Sequence, residues 1–249
     1  MSQFEEIITG ESVEFPAKTI VYGVPKIGKT RFASQANDPF FIDVEGGLSY
    51  IDKKVRATPK LNSYDEIIGW LKHIHDTDTF KAGTIVLDSL DWCETLAQAR
   101  LVKLNGASTI TDPKCKAFAF FRGVVDAADD TFQILKWLNA IFIKKGIKSI
   151  IIAHSQIKEV DVPDKDAYSR YELKLSKQLA AKASEWADLI LFADYDFEVT
   201  SEGKTSEPKP VIYAGGSASF VGGGRMKLNK KMPLDYKEIE KHITKKESK

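Results

Sequence analysis

The sequence has few cysteines and almost no net charge. Only Cys93 and Cys115 occur among 249 residues, and their spacing matches no metal-binding motif. A disulfide framework or a structural zinc site is therefore not expected, and two reduced thiols are typical of a cytosolic protein. The formal net charge is +1, from 36 Lys and Arg against 35 Asp and Glu. A nucleic-acid site, if the chain has one, is therefore expected as a local patch.

Long hydrophobic runs are also lacking. No apolar run reaches the ~18–20 residues that a membrane-spanning helix needs, and the first residues, MSQFEEIITGES, lack the apolar core of a signal peptide. We therefore expect a cytoplasmic protein with no membrane partner. Apolar residues make up 43% of the chain and charged residues 29%, which is typical of a globular protein with a hydrophobic core.

Short apolar segments alternate with amphipathic ones along most of the chain. Strands are predicted at 17–23, 39–44, 83–88 and 148–154, and helices from residue 29 and at 62–76, 89–103, 131–146 and 174–187. Two later strands, 188–199 and 209–215, read as a hairpin. This pattern predicts an α/β fold: a mainly parallel sheet covered by helices on both faces, with an antiparallel C-terminal extension. Residues 155–173 are polar and without period, so they are predicted to form a long loop.

A phosphate-binding motif follows the first strand. The segment GVPKIGKT, residues 23–30, matches the P-loop pattern G-x-x-x-x-G-K-[ST] and opens a helix, as the motif requires. In such a loop, backbone N–H groups surround a phosphate, and the helix N-terminus favours the anion. Lys29 supplies a positive charge to the β- and γ-phosphates, and Thr30 offers a hydroxyl to Mg²⁺. The predicted nucleotide-binding residues are Gly23, Val24, Pro25, Lys26, Ile27, Gly28, Lys29, Thr30 and Arg31.

A carboxylate for Mg²⁺ is expected on another strand. Asp88 ends the apolar segment GTIVLD, at the place where open α/β sheets carry their ligand groups. Asp88 or Ser89 would also suit the N-cap of the helix that follows. Given the P-loop, we predict that Asp88 binds Mg²⁺, and we assign Asp91 to the charge of the helix's first turn. ATP and Mg²⁺ are therefore the expected ligands.

The segment FIDVEGGL, residues 41–48, is an apolar strand that ends in two acids and two glycines. It lies directly after the P-loop helix and resembles the segment of RecA-type ATPases whose glutamate activates the attacking water. The resemblance implies that Glu45 is the general base, with Asp43 in a supporting role. A solvated strand end is the alternative. A carboxylate here suits the reaction, because hydrolysis needs a group that orients water towards the γ-phosphate.

The fourth strand resembles the same family at its end. The segment IIIAHSQIK finishes in polar residues, and RecA-type proteins carry a γ-phosphate sensor there, linked to a DNA-binding loop. The resemblance implies that His154 or Gln156 is the sensor, and that the following segment binds single-stranded DNA. Cations and aromatic side chains alternate in that segment, as single-strand binding requires. They are Lys158, Tyr168, Arg170, Tyr171, Lys174 and Lys177. A solvated segment of mixed charge remains the alternative.

Taken together, residues 17–236 resemble the RecA core, and more narrowly a family of phage-encoded ATPases, some of which act in single-strand annealing or recombination. The resemblance implies one RecA-like ATPase domain over residues 1–236 and a charged tail over 237–249. It implies a DNA-stimulated ATPase in the host cytoplasm that self-associates into an oligomer or filament, with a single-strand-binding protein as a possible partner. Only about 16 residues precede the first strand, too few for the separate N-terminal domain of larger recombinases.

Two other segments have open interpretations. If subunits assemble around ATP, a cation acting in trans is expected, and Arg225, Lys227 and Lys230 in GGGRMKLNKK are candidates. A basic surface segment is the alternative. The segment DPKCKAFAFFRG, residues 112–123, combines cations with phenylalanines and fits either an exposed loop or a buried helix start.

Two other functions share the P-loop. A nucleoside or small-molecule kinase needs an arginine-rich lid, but residues 157–173 hold one arginine. A regulatory ATPase that binds proteins would, in its AAA-type form, need a helical lid domain after the core. The C-terminal third reads instead as strands and turns. The sequence contains no motif that separates adenine from guanine.

Overall fold

The structure is a computed structural model that describes residues 17–48, 51, 54–162, 165–197, 207–226 and 228–244. The segment before the first strand therefore lies outside the described residues. The strands are β1 Lys18–Gly23, β2 Pro39–Asp43, β3 Arg56–Ala57, β4 Thr84–Asp88, β5 Lys148–Val162, β6 Lys165–Leu173, β7 Leu189–Asp196, β8 Lys209–Tyr213, β9 Gly223–Gly224 and β10 Lys231–Pro233. The helices are α1 Lys29–Ala33, α2 Tyr64–Asp76, α3 Leu90–Asn105, α4 Arg122–Lys145, α5 Lys177–Trp186 and α6 Tyr236–Thr244.

One sheet organises the molecule, in the order β10-β8-β7-β1-β5-β4-β2-β3. Along this sheet order, every pair of neighbouring strands between β7 and β3 is parallel, whereas β8, β9 and β10 pair antiparallel. The predicted α/β fold with an antiparallel C-terminal extension is confirmed. Within the described part of the chain, no helix has the length and apolarity to cross a bilayer.

The sheet is buried on both faces. On one face, Ile20 and Tyr22 of β1 pack with residues of α2, α4 and α5, while Val21 on the other face packs with residues of α1 and α6. Because both faces are covered, the central parts of these strands are apolar on both sides. Phe41, for example, is fully buried, and its truncation to alanine would cost about 3–5 kcal/mol.

Helix α2 begins where its sequence predicts. The Ser63 side chain accepts a hydrogen bond from the Glu66 backbone N–H, and the Glu66 carboxylate accepts one from that of Ser63. This capping box satisfies two N–H groups that the first helical turn leaves without partners. At its other end, Thr77 and His75 accept bonds through their carbonyls from Lys145 and Lys144 of α4.

The prediction of a long loop at 155–173 is wrong. Strand β5 continues past the sheet to Val162 and pairs antiparallel with β6, from Ser155 opposite Leu173 to Val160 opposite Tyr168. The ladder bonds of this hairpin do not require a buried face, and Ile157 is exposed. The hairpin therefore lacks the alternation of apolar and polar residues from which strands are recognised.

Much of the segment predicted as a charged tail, 237–249, is helical, because α6 covers Tyr236–Thr244. Ile239 is buried, and the Tyr236 ring lies edge-on to Phe32 of α1 at 5.5 Å between centroids. This charged segment contains few apolar residues, so its composition resembles that of a solvated tail. The helix nevertheless closes one face of the sheet beside the P-loop helix.

The segment before α4, predicted as either an exposed loop or a buried helix start, has features of both. A turn of 3-10 helix, Lys116–Phe121, buries Phe118 but leaves Phe120 99% exposed and Phe121 70% exposed. Both exposed residues have left-handed backbone, with φ of 54° and 61°. Arg100 of α3 pairs with Asp130 of α4, so these helices lie side by side. The turn that carries Phe120 and Phe121 lies in the connection between the end of α3 and the start of α4.

Candidate functional site

The predicted site residues meet at the carboxyl edge of the parallel strands. In the sheet register, Gly23 lies opposite His154, and Asp43 lies opposite Asp88. Because the parallel strands end together, residues far apart in sequence come together at one crevice, the usual ligand position in open α/β sheets. Glu45 follows β2 at the same edge, where its backbone N–H donates to the Asp88 carbonyl at 3.1 Å.

The P-loop runs from β1 into α1 and depends on two glycines. A Cβ on Gly23 would lie 2.0 Å from the Ala193 carbonyl oxygen of β7, so only glycine fits this approach. Gly28, the residue before α1, has a φ of 110°, a left-handed conformation that glycine adopts without strain. These two positions explain physically why the motif has glycine at both ends of the loop.

Lys29 is buried at the start of α1. Its Nζ donates to the carbonyl oxygens of Gly23 at 3.1 Å and Val24 at 2.9 Å, across the loop. Burial lowers the pKa of Lys29, and the nearby carboxylates of Asp88 and Glu45 oppose this effect. A bound phosphate would offer the ammonium group the anionic partner that a buried cation needs.

Thr30 and Asp88 contact each other directly. The Thr30 hydroxyl donates to Asp88 Oδ2 at 2.8 Å, while Asp88 Oδ1 is buried and, among the described residues, has no hydrogen-bond partner. Burial raises the pKa of Asp88 to about 6; the Thr30 bond opposes this, and the Glu45 and Asp43 carboxylates add to it. A buried carboxylate oxygen without a donor, beside a hydroxyl, is a donor set that suits Mg²⁺. The N-cap position of α3 falls to Ser89.

The two acids of FIDVEGGL have different environments. Asp43 is buried and its Oδ1 accepts a hydrogen bond of 2.7 Å from the Gly46 N–H, which closes the turn after β2. The Glu45 side chain is 35% exposed and reaches the crevice beside His154. Asp43 therefore shapes the turn, and Glu45 is the acid that a water molecule can reach.

His154 lies between two carboxylates. Its Nε2 is 3.7 Å from Glu45 Oε1, and its Nδ1 is 2.9 Å from Asp91 Oδ2. The backbone N–H of His154 also donates to Asp91 Oδ1 at 3.1 Å. Burial raises the pKa of Asp91, but the hydrogen bonds from His154 lower it by more, so that it lies below its ordinary value. The sequence assigned Asp91 to helix charge, and no local signal distinguishes it from other first-turn acids.

Gln156, the other sensor candidate, has a different position. Its side-chain amide donates to the carbonyl oxygens of Leu173 at 2.7 Å and Leu175 at 3.2 Å, which fastens the base of the β5–β6 hairpin. Of the two candidates, His154 is the one whose side chain lies beside Glu45. The sensor role itself stays a prediction.

The predicted DNA-binding residues lie on the hairpin and just after it. Lys158 and Arg170 both pair with Glu172, at 3.5 Å and 2.6 Å, so this carboxylate offsets part of their charge. The Tyr171 ring stacks on Phe192 at 5.1 Å and supports the hairpin base. Two exposed cations, Lys174 and Lys177, follow the hairpin. Tyr168 is half-buried.

Arg225 lies at the opposite edge of the sheet. Its guanidinium is 3.2 Å from Asp188, whose other neighbour is Lys18 at the start of β1, and its side chain is 79% exposed. It therefore lies remote from the P-loop of its own chain. Lys227 falls outside the described residues, and the Lys230 carbonyl accepts from the Ala214 N–H.

Comparison with known proteins adds one finding. The sequence model of a family described as an AAA domain matches residues 16–226, which is more than half of the chain. The match contains β1, the P-loop, both acidic strand ends and the β5–β6 hairpin. Among curated proteins, none matches the chain.

Proposed function

The chain belongs to the AAA domain family and is a nucleotide-binding ATPase of the P-loop type, and from this premise we propose that it hydrolyses Mg-ATP to act on single-stranded DNA in recombination, annealing or repair. The resemblance to phage-encoded RecA-core ATPases supports this narrower activity, and a phage origin is part of the same proposal. The site residues suit the chemistry, and the hairpin beside them suits its coupling to a polymer.

In this mechanism, Glu45 orients a water molecule and accepts its proton as the water oxygen attacks the γ-phosphorus. The bond from phosphorus to the ADP oxygen breaks, and phosphate leaves. Lys29 and the P-loop N–H groups hold the phosphates in place. Thr30 and Asp88 would hold Mg²⁺, which offsets the charge of the phosphate oxygens.

One observation carries the link to a polymer substrate. Strand β5 runs without a break from the core of the sheet, past His154 beside Glu45, into the projecting β5–β6 hairpin. The Tyr22 hydroxyl, one residue before the P-loop, also donates to the Val221 carbonyl at 2.6 Å, and Val221 in turn bonds to Tyr171 of β6. A ligand that moves the hairpin would therefore act on two strands, β1 and β5, that end at the nucleotide site.

Two surfaces fit single-stranded DNA. Lys174 and Lys177 are exposed after the hairpin and suit phosphate contacts. The exposed rings of Phe120 and Phe121 offer faces for base stacking, and Lys116 beside them is exposed. Strand β5 leads from the nucleotide crevice to the first surface, and α3, which begins shortly after Asp88, leads to the second.

Self-association belongs to the same proposal. Arg225 at the amino edge of the sheet would approach the carboxyl edge of a neighbour in a head-to-tail assembly, where it would act on that neighbour's ATP. Such an assembly closes into a ring or extends as a filament. By resemblance, a single-strand-binding protein is a further proposed partner.

The test is steady-state ATP turnover with and without single-stranded DNA. The proposal predicts that kcat rises at least several-fold with single-stranded DNA and less with duplex DNA. Turnover that stays unchanged over a series of DNA lengths and concentrations would contradict the DNA role. Turnover that requires a nucleoside or another small phosphate acceptor would indicate a kinase instead.

A further inference from the structure

The carboxylate of Asp91 holds both the backbone and the side chain of His154. Oδ1 accepts from the His154 backbone N–H at 3.1 Å, and Oδ2 faces ring Nδ1 at 2.9 Å. We propose that Asp91 is a positioning residue that fixes the His154 ring with Nε2 turned towards Glu45. This inference rests on the proposed function, because it takes Glu45 as the base that activates water.

The hydrogen-bond chemistry decides which ring nitrogen carries hydrogen. A carboxylate can only accept, so Nδ1 of His154 must be the donor to Asp91. Nε2 is then the ring nitrogen that faces Glu45, at 3.7 Å, which is within ion-pair range but longer than a hydrogen bond. Glu45 can therefore turn between the ring and a water molecule, while the ring itself stays fixed.

Burial separates Asp91 from an ordinary helix acid. Only 9% of its side chain is exposed, and its two oxygens bond to a strand rather than to solvent. Asp65 is a natural comparison, because it is the second residue of α2 just as Asp91 is the second residue of α3. The Asp65 side chain is 75% exposed. If Asp91 served only as first-turn charge, we would expect its side chain to be exposed like that of Asp65.

Asp91 is close in sequence to the proposed Mg²⁺ ligand. It lies three residues after Asp88, so one short segment carries both the carboxylate proposed to bind Mg²⁺ and the carboxylate that holds His154 of β5. His154 lies at the point where β5 leaves the core for the hairpin. Movement of the hairpin would therefore reach the His154 ring only by straining its two hydrogen bonds to Asp91.

Kinetics of Asp91→Asn test the inference. The amide keeps the size of the side chain but can present an N–H to Nδ1, which permits the other ring tautomer. We expect kcat to fall about tenfold to a hundredfold, at most to the lower end of a general-base contribution of about a hundredfold or more, with the KM for ATP changed less than about twofold. The matched control is Asp65→Asn, for which kcat and KM should both stay near wild type.

A double-mutant cycle shows whether Asp91 acts through His154. In a His154→Gln background, Asp91→Asn should lower kcat less than about twofold further, because residues that act as one unit are not additive. Full additivity of the two changes would overturn the inference. So would a single Asp91→Asn variant with wild-type kcat.

A measurement without ATP separates this inference from the proposed function, and its readout is taken on the wild-type protein. Long-range ¹H–¹⁵N spectra of ¹⁵N-histidine protein, assigned with His154→Gln, report which ring nitrogen carries hydrogen. We expect Nδ1 of His154 to be protonated in the wild type. An unprotonated Nδ1 would overturn the inference even in an active ATPase. A protonated Nδ1 in a protein without ATP turnover would support the Asp91 contact while the proposed function fails.

Discussion

The hydroxyl of Thr30 donates a 2.8 Å hydrogen bond to Oδ2 of Asp88, across 58 residues of sequence. The bond joins the start of the P-loop helix to a strand that is separated from β1 by β5. It brings together the two groups that the sequence assigned to Mg²⁺. The second Asp88 oxygen remains buried and, in the described part of the chain, unbonded, so this carboxylate is costly for the protein without its ligand.

Replacement of Asp88 by asparagine should therefore alter the pH dependence of stability. Burial raises the pKa of Asp88 from 3.8 to about 6. Its contribution to stability is fully present below the unfolded pKa near 3.8 and is lost as the pH rises through about 6. In Mg²⁺-free buffer, the gain in unfolding free energy from Asp88→Asn should be larger at pH 8 than at pH 5, by on the order of 1–2 kcal/mol. Urea unfolding at the two pH values checks this, and an equal difference at both would contradict it.

Gly23 should not tolerate a side chain. A Cβ there would lie 2.0 Å from the Ala193 carbonyl oxygen, so Gly23→Ala must push β1 and β7 apart. We expect a loss of about 1–3 kcal/mol in unfolding free energy, as for other overpacked sites. Gly47→Ala is the matched control, since among the described residues no atom beyond its chain neighbours lies within 4 Å of the point that its Cβ would occupy, and its effect should stay within about 0.5 kcal/mol. Similar losses in both variants would refute the steric argument.

The cations at and after the hairpin should contribute to DNA affinity unequally. Arg170→Ala and Lys174→Ala together should weaken single-stranded DNA binding and reduce its salt dependence. Because Arg170 pairs with Glu172 and Lys174 is exposed, Lys174→Ala should account for most of the loss. Fluorescence anisotropy over a salt series measures both effects, with the exposed Lys72→Ala on α2 as control. An unchanged affinity and salt slope would remove the hairpin from the DNA site.

Much of the fold could be predicted because its signals are local. The middle of the strand of Val21 is apolar on both sides, since both faces of the sheet are covered, and the Ser63 and Glu66 spacing identifies a capped helix start. The P-loop is likewise defined by contiguous residues. Parallel strand ends then place Asp88 and Glu45 together without further information.

The remaining features depend on tertiary contacts. The hairpin bonds through its backbone, so Ile157 is exposed and the segment carries no apolar period. Helix α6 is recognisable only from the packing of Ile239 and Tyr236. Asp91 and Asp65 occupy equal positions in their helices, and only the arrival of β5 beside α3 gives Asp91 a partner in His154.

The most direct test of the account is the Glu45→Gln variant, measured for both ATP binding and ATP hydrolysis. The amide keeps the shape of the side chain but cannot accept the proton of the attacking water. We predict that the Kd for Mg-ATP stays within a few-fold of wild type while kcat falls at least about a hundredfold, the lower range of general-base contributions. Hydrolysis at the wild-type rate in Glu45→Gln would contradict the assignment of the base and, with it, the proposed mechanism.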